Sequence, residues 1–471
     1  MSIRLASRAD ITLDAWRAVA WQGQGVELAA EALARMDACH ESFEALVRER
    51  IAADPGALIY GVTSAPGDRA ALALDAEGQA RRPTALWTSM AFGEPLPQRV
   101  ARGIVLARLA NMLDGHAAAR GSVAQAIAAM LDQDALPVVP AQGNGGAGEI
   151  LALGSLFREL SERVELSHKE RMALINGSPC AAALVADVAL AARERLVLAE
   201  QVFALSAQVV GAPLEAYGAD LEALWGDAHE TAALRSLRAL LAGDGERQPH
   251  QAAVSFRILP RVLGATRRAL AAAEEAASVA LASVTDNPVY IPPDEGRPLG
   301  DVFSTGGYHN ATATPAMDGL AVAWADLCQL AERHADHLFQ HAATAPLLSA
   351  EEWTIKPVHM AQNWWAEEAR SLAQPTLLSL GGFGQNDVAG LPFLAWRKAV
   401  AVGRCLDGAL AALAGICSQA LFTAGRSAGP PLEGLVEDVR GVLEPVSVLR
   451  DVGRDFGALM DAFSARVYGG A

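Results

Sequence analysis

The chain has 471 residues, of which 52% are hydrophobic, 20% charged and 6% aromatic, a balance that excludes a disordered polymer. Thirty-eight Lys and Arg against 54 Asp and Glu give a formal net charge of −16, which argues against nucleic acid as a partner because an acidic surface repels phosphate. The apolar share is carried by Ala, Leu and Val, and because Ala and Leu favour helices the composition leans all-α.

The first residues, MSIRLASRADITL, hold no apolar core of signal-peptide length. No run of 18 apolar residues follows, since Arg, Asp, Glu or Gly interrupts every Ala/Leu-rich segment. A cytoplasmic protein with no membrane partner is expected. Up to about residue 140, short helical patterns alternate with turns such as Asp54-Pro55-Gly56 and Ala65-Pro66-Gly67-Asp68. Periodicity predicts a long helix over 98–131, closed by Pro137. A loop follows from Pro140 to Glu149, with four glycines in the six residues 143–148, so its backbone takes unusual dihedrals or approaches something closely.

From about Ser167 the pattern is helix after helix, over 196–210, 259–284, 311–342, 359–374 and 391–422. The longer of these are apolar on most faces and read as bundle-core helices. Their small apolar residues invite packing between subunits, so a homo-oligomer is expected. Cys39, Cys180, Cys328, Cys405 and Cys417 are odd in number and scattered, which fits buried hydrophobes better than disulfides or a zinc site. His250, His309 and His359 make no standard metal spacing. His334, His337 and His341 share a helical face, but with Glu332 and Asp336 adjacent they read as a solvated or interface face. No metal is expected.

Seven segments in order resemble the aromatic amino acid ammonia-lyase family, the histidine and phenylalanine ammonia-lyases. Tyr60-Gly61-Val62-Thr63 is similar to its catalytic tyrosine loop. Gly93-Glu94-Pro95-Leu96-Pro97, then Leu109-Ala110-Asn111 and Gly115-His116, resemble the helix that follows. The stretch from Lys169 to Asn176-Gly177-Ser178 resembles the asparagine motif, and Ser255-Phe256-Arg257 with Pro260 the arginine motif. Thr285-Asp286-Asn287-Pro288, Gly306-Gly307-Tyr308-His309 and Gln385-Asn386-Asp387 complete the series. The resemblance implies an all-α fold of the ammonia-lyase/fumarase type. It implies an N-terminal active-site domain over 1–190, with the tyrosine and Gly-rich loops, and a long-helix bundle with C-terminal helices over 191–471. It also implies a homotetramer with shared active sites. No serine-rich loop with the fumarase lysine and asparagine signature is present.

One departure matters most. In the family an Ala-Ser-Gly tripeptide cyclises and dehydrates to an electrophilic methylidene-imidazolone. Here the loop reads Gly146-Ala147-Gly148, and no Ser or Cys lies between Pro140 and Leu153. Alanine has no β leaving group, so the methylidene cannot form and no cofactor is expected.

The resemblance carries Tyr60 over as the base, Asn176 as an amide near the substrate amine, and Arg257 as the carboxylate grip. A phenol titrates near ~10 and needs helpful neighbours to serve as base. Gln251 and Tyr308 fall on pocket positions too. Thr88 replaces a histidine, Val254 a tyrosine and Asn386 an acidic residue, which puts histidine or tyrosine as substrate in doubt. Lys356 falls on an apolar, ring-contacting position; a solvated lysine before Pro357 is the competing reading. Trp353, Trp364 and Trp365 lie on the same segment, and tryptophan faces attract quaternary ammonium groups. A trimethylammonium group leaves as neutral trimethylamine without an electrophile. The sequence therefore resembles the branch of ergothionases, which eliminate trimethylamine from ergothioneine to give thiourocanate. Two alternatives stay open: a lyase or mutase on another aromatic or heteroaromatic amino acid, and a catalytically inactive helical oligomer.

Overall fold

The computed structural model describes residues 2–75, 77–78, 86, 88–133, 135–243, 247–248, 251–382 and 384–469; His250 lies outside them. The fold is mostly helical, with three two-stranded ladders among the described residues that are too short to leave a period in the sequence. Ser2–Leu5 pairs in parallel with Gly25–Leu28, while Val289–Ile291 with Asp301–Phe303 and Ser379–Leu380 with Val388–Ala389 pair antiparallel.

The residues divide into two compact units. The first comprises Met1–Asp187, Ala273–Ala316 and Thr376–Arg397, the second Val188–Ala272, Met317–Pro375 and Lys398–Ala471. The units therefore depart from a single cut near residue 190, because two later segments return to the first. Buried polar anchors account for both returns. The carboxylate of Asp187, fully buried, accepts from Trp21 Nε1 at 3.0 Å, Arg99 Nε at 2.9 Å and Trp396 Nε1 at 2.9 Å. Lys169 and Asp286 form an ion pair of 2.7 Å, with both side chains at 0% exposure. A buried pair of this kind is costly to break, since either charge alone would be left desolvated.

At the centre of the first unit, helix Gln98–Leu113 is buried on nearly every face. Gly103 lets it approach Trp16: a Cβ there would fall 2.3 Å from the indole. The run expected as one helix over 98–131 is two, Gln98–Leu113 and Gly121–Ala129. Gly115 at φ 85 and Ala118 at φ 48 turn the chain out of the helix, and the apolar periodicity does not register that break.

The second unit is a bundle whose centre is another buried pair. Arg195 grips Asp407 through two bonds of 2.9 Å, and Ser464 of helix Gly453–Val467 adds a third at 2.8 Å. The Trp324 ring lies 5.0 Å from the guanidinium. Segments His168–Val210 and Pro392–Thr423 are long and apolar enough to cross a membrane, but 94% and 83% of their most apolar windows are buried, as in core helices. All five cysteines are free and buried. Of the three histidines read as a solvated or interface face, His337 and His341 are half-buried, but His334 is fully buried, stacked on Phe256 at 3.8 Å. No group of three potential metal-binding side chains is found among the described residues.

Candidate active site

The tyrosine loop is knotted by its own backbone. Thr63 Oγ1 accepts the Ile59 N–H at 2.7 Å and donates to the Ala57 carbonyl at 2.6 Å. The Ile59 carbonyl in turn collects the N–H groups of Val62, Thr63 and Ser64. Tyr60 points out of this knot, half-buried, and its phenol oxygen accepts the Gly67 N–H at 2.9 Å. Gly61 is needed for both backbone and space. Its φ is +69, and a Cβ would fall 2.6 Å from Met172 Cγ. Met172 belongs to helix His168–Ile175, which ends at Asn176, so the tyrosine loop packs on the element that presents the asparagine.

Burial pushes the Tyr60 phenol above its usual value; the Gly67 N–H pulls the other way, and the neighbouring Tyr308 adds to the rise. The turn carrying Asn386 joins the same neighbourhood. Gln385 Nε2 donates to the Gly67 carbonyl, and Asn386 itself is half-buried.

The Gly-rich loop takes positive φ at Gly143, Gly146 and Gly148 (72, 87 and 75) and then at Glu149 (56), where a side chain makes that rare. Its stem is tied by Leu96 N–H to the Val139 carbonyl at 2.8 Å and Ala141 N–H to the Glu94 carbonyl at 2.7 Å. Between the two glycines Ala147 offers only a methyl group. The tripeptide therefore does not fit the methylidene-imidazolone, which requires a β-hydroxyl.

Asn176 meets this loop. Its Oδ1 is buried, has no hydrogen-bond partner among the described residues and lies 2.8 Å from where a Cβ on Gly148 would stand. An acceptor left unpaired in a buried site costs about 1–3 kcal/mol, and a donor on a bound molecule would recover it. The Asn176 backbone is held from behind: Arg108 Nη1 donates to its carbonyl at 2.7 Å. Thr285 helps, since its N–H donates to Asn111 Oδ1 at 2.7 Å and its Oγ1 accepts the Ser178 N–H at 3.0 Å. The Thr285-Asp286-Asn287 motif is thus scaffold for the asparagine. Thr88 is buried with its Oγ1 unpartnered among the described residues, lodged in the space that the absent Cβ of Gly154 leaves.

Two groups here escaped sequence reasoning. The Glu149 carboxylate accepts the N–H groups of Cys180 at 2.6 Å and Ala181 at 2.8 Å, at the N-terminus of helix Pro179–Val210. The residue keeps some exposure, but its carboxyl is enclosed. Burial pushes it up to about 7, against those N–H bonds, the Cys180 thiol and Arg108. Arg108 is fully buried with Nε and Nη2 unpartnered among the described residues, and burial lowers its pKa while Asp286, Glu149 and Cys180 raise it. The available signal was an arginine within an otherwise almost wholly apolar stretch of helix.

The second unit carries the remaining residues. Arg257 ends the short helix Val254–Arg257 and is exposed; its Nε donates to the Ala252 carbonyl of its own turn at 3.0 Å. Its other donors make no hydrogen bond among the described residues. Gln251 and Lys356 are exposed as well. The three tryptophans do not make one cage within this unit. Trp353 is core at 9% exposure, and Trp365 packs against Gly408 of helix Pro392–Thr423. Trp364 is 66% exposed, with its Nε1 on Glu368 at 3.1 Å. Adjacent residues on a helix point roughly 100° apart, which separates Trp364 from Trp365.

A family model described as aromatic amino acid lyase matches residues 11–161 and 156–441. A histidine ammonia-lyase from Deinococcus radiodurans is 31% identical over 366 residues, 71% of this chain and 68% of that one. Among solved structures, ergothionase from Treponema denticola superimposes with a TM-score of 0.89 at 17% identity and 100% coverage of both chains. A tyrosine aminomutase from Streptomyces globisporus gives 0.85 at 23% identity, covering 99% of this chain and 98% of that one.

Proposed function

The chain belongs to the aromatic amino acid lyase family, and we propose that it is a carbon–nitrogen lyase that works without the methylidene-imidazolone. In this reading it eliminates trimethylamine from a histidine-derived betaine such as ergothioneine and releases a urocanate-type product. The observation that carries the reading is Ala147, a methyl where the electrophile would be made, beside a tyrosine loop and an asparagine that are both retained and ordered. A scaffold that had lost its chemistry has no need of Tyr60, Asn176 and Arg257 together. The ergothionase fold shared over the full length is compatible with it.

The chemistry follows from charge. Tyr60 takes the β-proton. The electrons of that C–H bond form the C=C bond, the C–N bond breaks, and nitrogen leaves with its pair as neutral trimethylamine. Arg257 grips the carboxylate through a bidentate contact. Asn176 Oδ1 receives a donor from the substrate or orients it against the Gly148 backbone. Lys356 faces the sulfur or ring and stabilises the negative charge that develops as the proton leaves. Among the described residues, the groups that shift the Tyr60 phenol are the Gly67 N–H and Tyr308, neither of them a cation. A quaternary ammonium substrate supplies one on binding, which lowers the phenol pKa where the base is needed. Thr88, Gln251, Tyr308, Trp364 and Asn386 complete the pocket, which forms in a cytoplasmic homotetramer.

Incubation with ergothioneine is the test. Free trimethylamine and a conjugated chromophore should appear in equal amounts. No product at micromolar enzyme rejects this substrate. Release of ammonia from an aromatic amino acid in a substrate panel instead moves the protein to the amino-acid lyases.

A further inference from the structure

Arg257 projects from a four-residue turn that is joined through Ile258 to helix Leu259–Leu281, so the long helix carries its C-terminal side and leaves the tilt of the turn to be fixed by side-chain contacts. Among the described residues three such contacts are made by Phe256, the weakest being the edge of His337 at 5.3 Å. The Phe256 ring, at 0% exposure, stacks on His334 at 3.8 Å and 20°. The Phe256 carbonyl accepts the Tyr217 hydroxyl at 2.8 Å. His334 is itself fixed. Its Nδ1 shares a 2.7 Å hydrogen bond with Ser206 on helix Pro179–Val210, and its ring meets the edge of Phe203 at 5.2 Å. Burial pushes the imidazole down to about 3, despite the Ser255 backbone beside it, so it stays neutral at working pH and puts no charge near the arginine.

We propose that His334 is a positioning residue for Arg257, holding through Phe256 the turn from which the guanidinium reaches the substrate carboxylate. This rests on Arg257 being the carboxylate grip. A grip that is displaced by a fraction of an ångström loses its bidentate geometry while the reacting centre is untouched. The expected signature is therefore in KM for the acid.

The full-length protein is assayed with its carboxylate substrate and with the methyl ester. His334→Leu should raise KM for the acid about tenfold while kcat changes by less than about threefold, and should leave the ester unaffected. His334→Asn, which keeps a planar group able to bond Ser206, should recover most of the loss. Tyr217→Phe removes only the second anchor, should fold normally, and should shift KM in the same direction by less. Unchanged KM in both, or equal losses for acid and ester, overturns the proposal. Hydrogen exchange of the 251–258 segment supplies a readout that needs no turnover. If the wild-type protein converts neither compound, the lyase reading fails. Faster exchange of that segment in His334→Leu then still upholds the anchor, and unchanged exchange overturns it.

Discussion

Tyr60 and Ala147 define the residue-scale argument. The Tyr60 phenol is raised by burial, so in the free protein it is protonated at neutral pH. If it is the base, kcat/KM should climb with pH through the alkaline range without levelling below pH 10. Tyr60→Phe should lower kcat by about 10²-fold or more and flatten that climb. A pH–rate profile measured on both proteins decides it, and an alkaline limb that survives the substitution assigns the base elsewhere. Ala147 makes a mass prediction. The intact chain should weigh what its unmodified sequence weighs, and borohydride should leave activity unchanged. Loss of water from the chain, or inactivation by the reductant, would reveal an electrophile. Ala147 was legible in the sequence because the chemistry depends on one atom, the missing hydroxyl oxygen. Glu149 and Arg108 were not, because their importance lies in enclosure: neither a carboxylate after a glycine loop nor an arginine in a helix announces its burial.

The element scale turns on the N-terminus of helix Pro179–Val210. Two of its first N–H groups are bound by Glu149, a carboxylate at the positive end of the helix dipole. Burial outweighs that attraction and raises Glu149 from 4.5 to about 7. An acid whose folded pKa lies above its unfolded value holds a proton in the native state that the unfolded chain has released. Stability from this group is therefore greatest below pH 4.5, falls as pH rises to 7, and is flat above, a total of at most about 3 kcal/mol. Glu149→Gln should remove that slope. Thermal unfolding between pH 5 and 8 measures it, and a variant with the wild-type slope places the titration on another group. The same helix shows what periodicity can and cannot reveal. A helix was expected over 196–210 and runs from Pro179, because the Ala/Leu-rich start is buried on all faces and so carries no amphipathic signal. The helices Leu259–Leu281, Ala313–Gln340 and Pro392–Thr423 lie within a few residues of their expected bounds. The return of 273–316 and 376–397 to the first unit was invisible, since Lys169 with Asp286 and Trp396 with Asp187 pair across long stretches of chain.

At the scale of the whole molecule, the composition, the Ala/Leu bundle and the residual apolar surface point the same way. Single exposed hydrophobes are ordinary on any protein. The first unit, however, shows Leu377, Leu378 and Leu380 within four residues, at 76%, 71% and 90% exposure, on the segment that leads through Gln385 to the Gly67 loop beneath Tyr60. Covering each leucine is worth about 1.5–3 kcal/mol, enough to reward a second copy of the chain seated there. The tetramer implied by the family resemblance would do this and would bring partner groups to Tyr60, whose phenol is shifted by no cation among the described residues. Leu380→Glu places a charge on that surface at a side chain 90% exposed in the subunit, so the secondary structure of the subunit should be unchanged by circular dichroism. Light scattering should show a shift from tetramer toward smaller species, and activity should fall in proportion to the tetramer lost. Raising the protein concentration should restore both together, since a weakened association is driven back by mass action. A wild-type protein that sediments as a fully active monomer would remove the shared site from the mechanism.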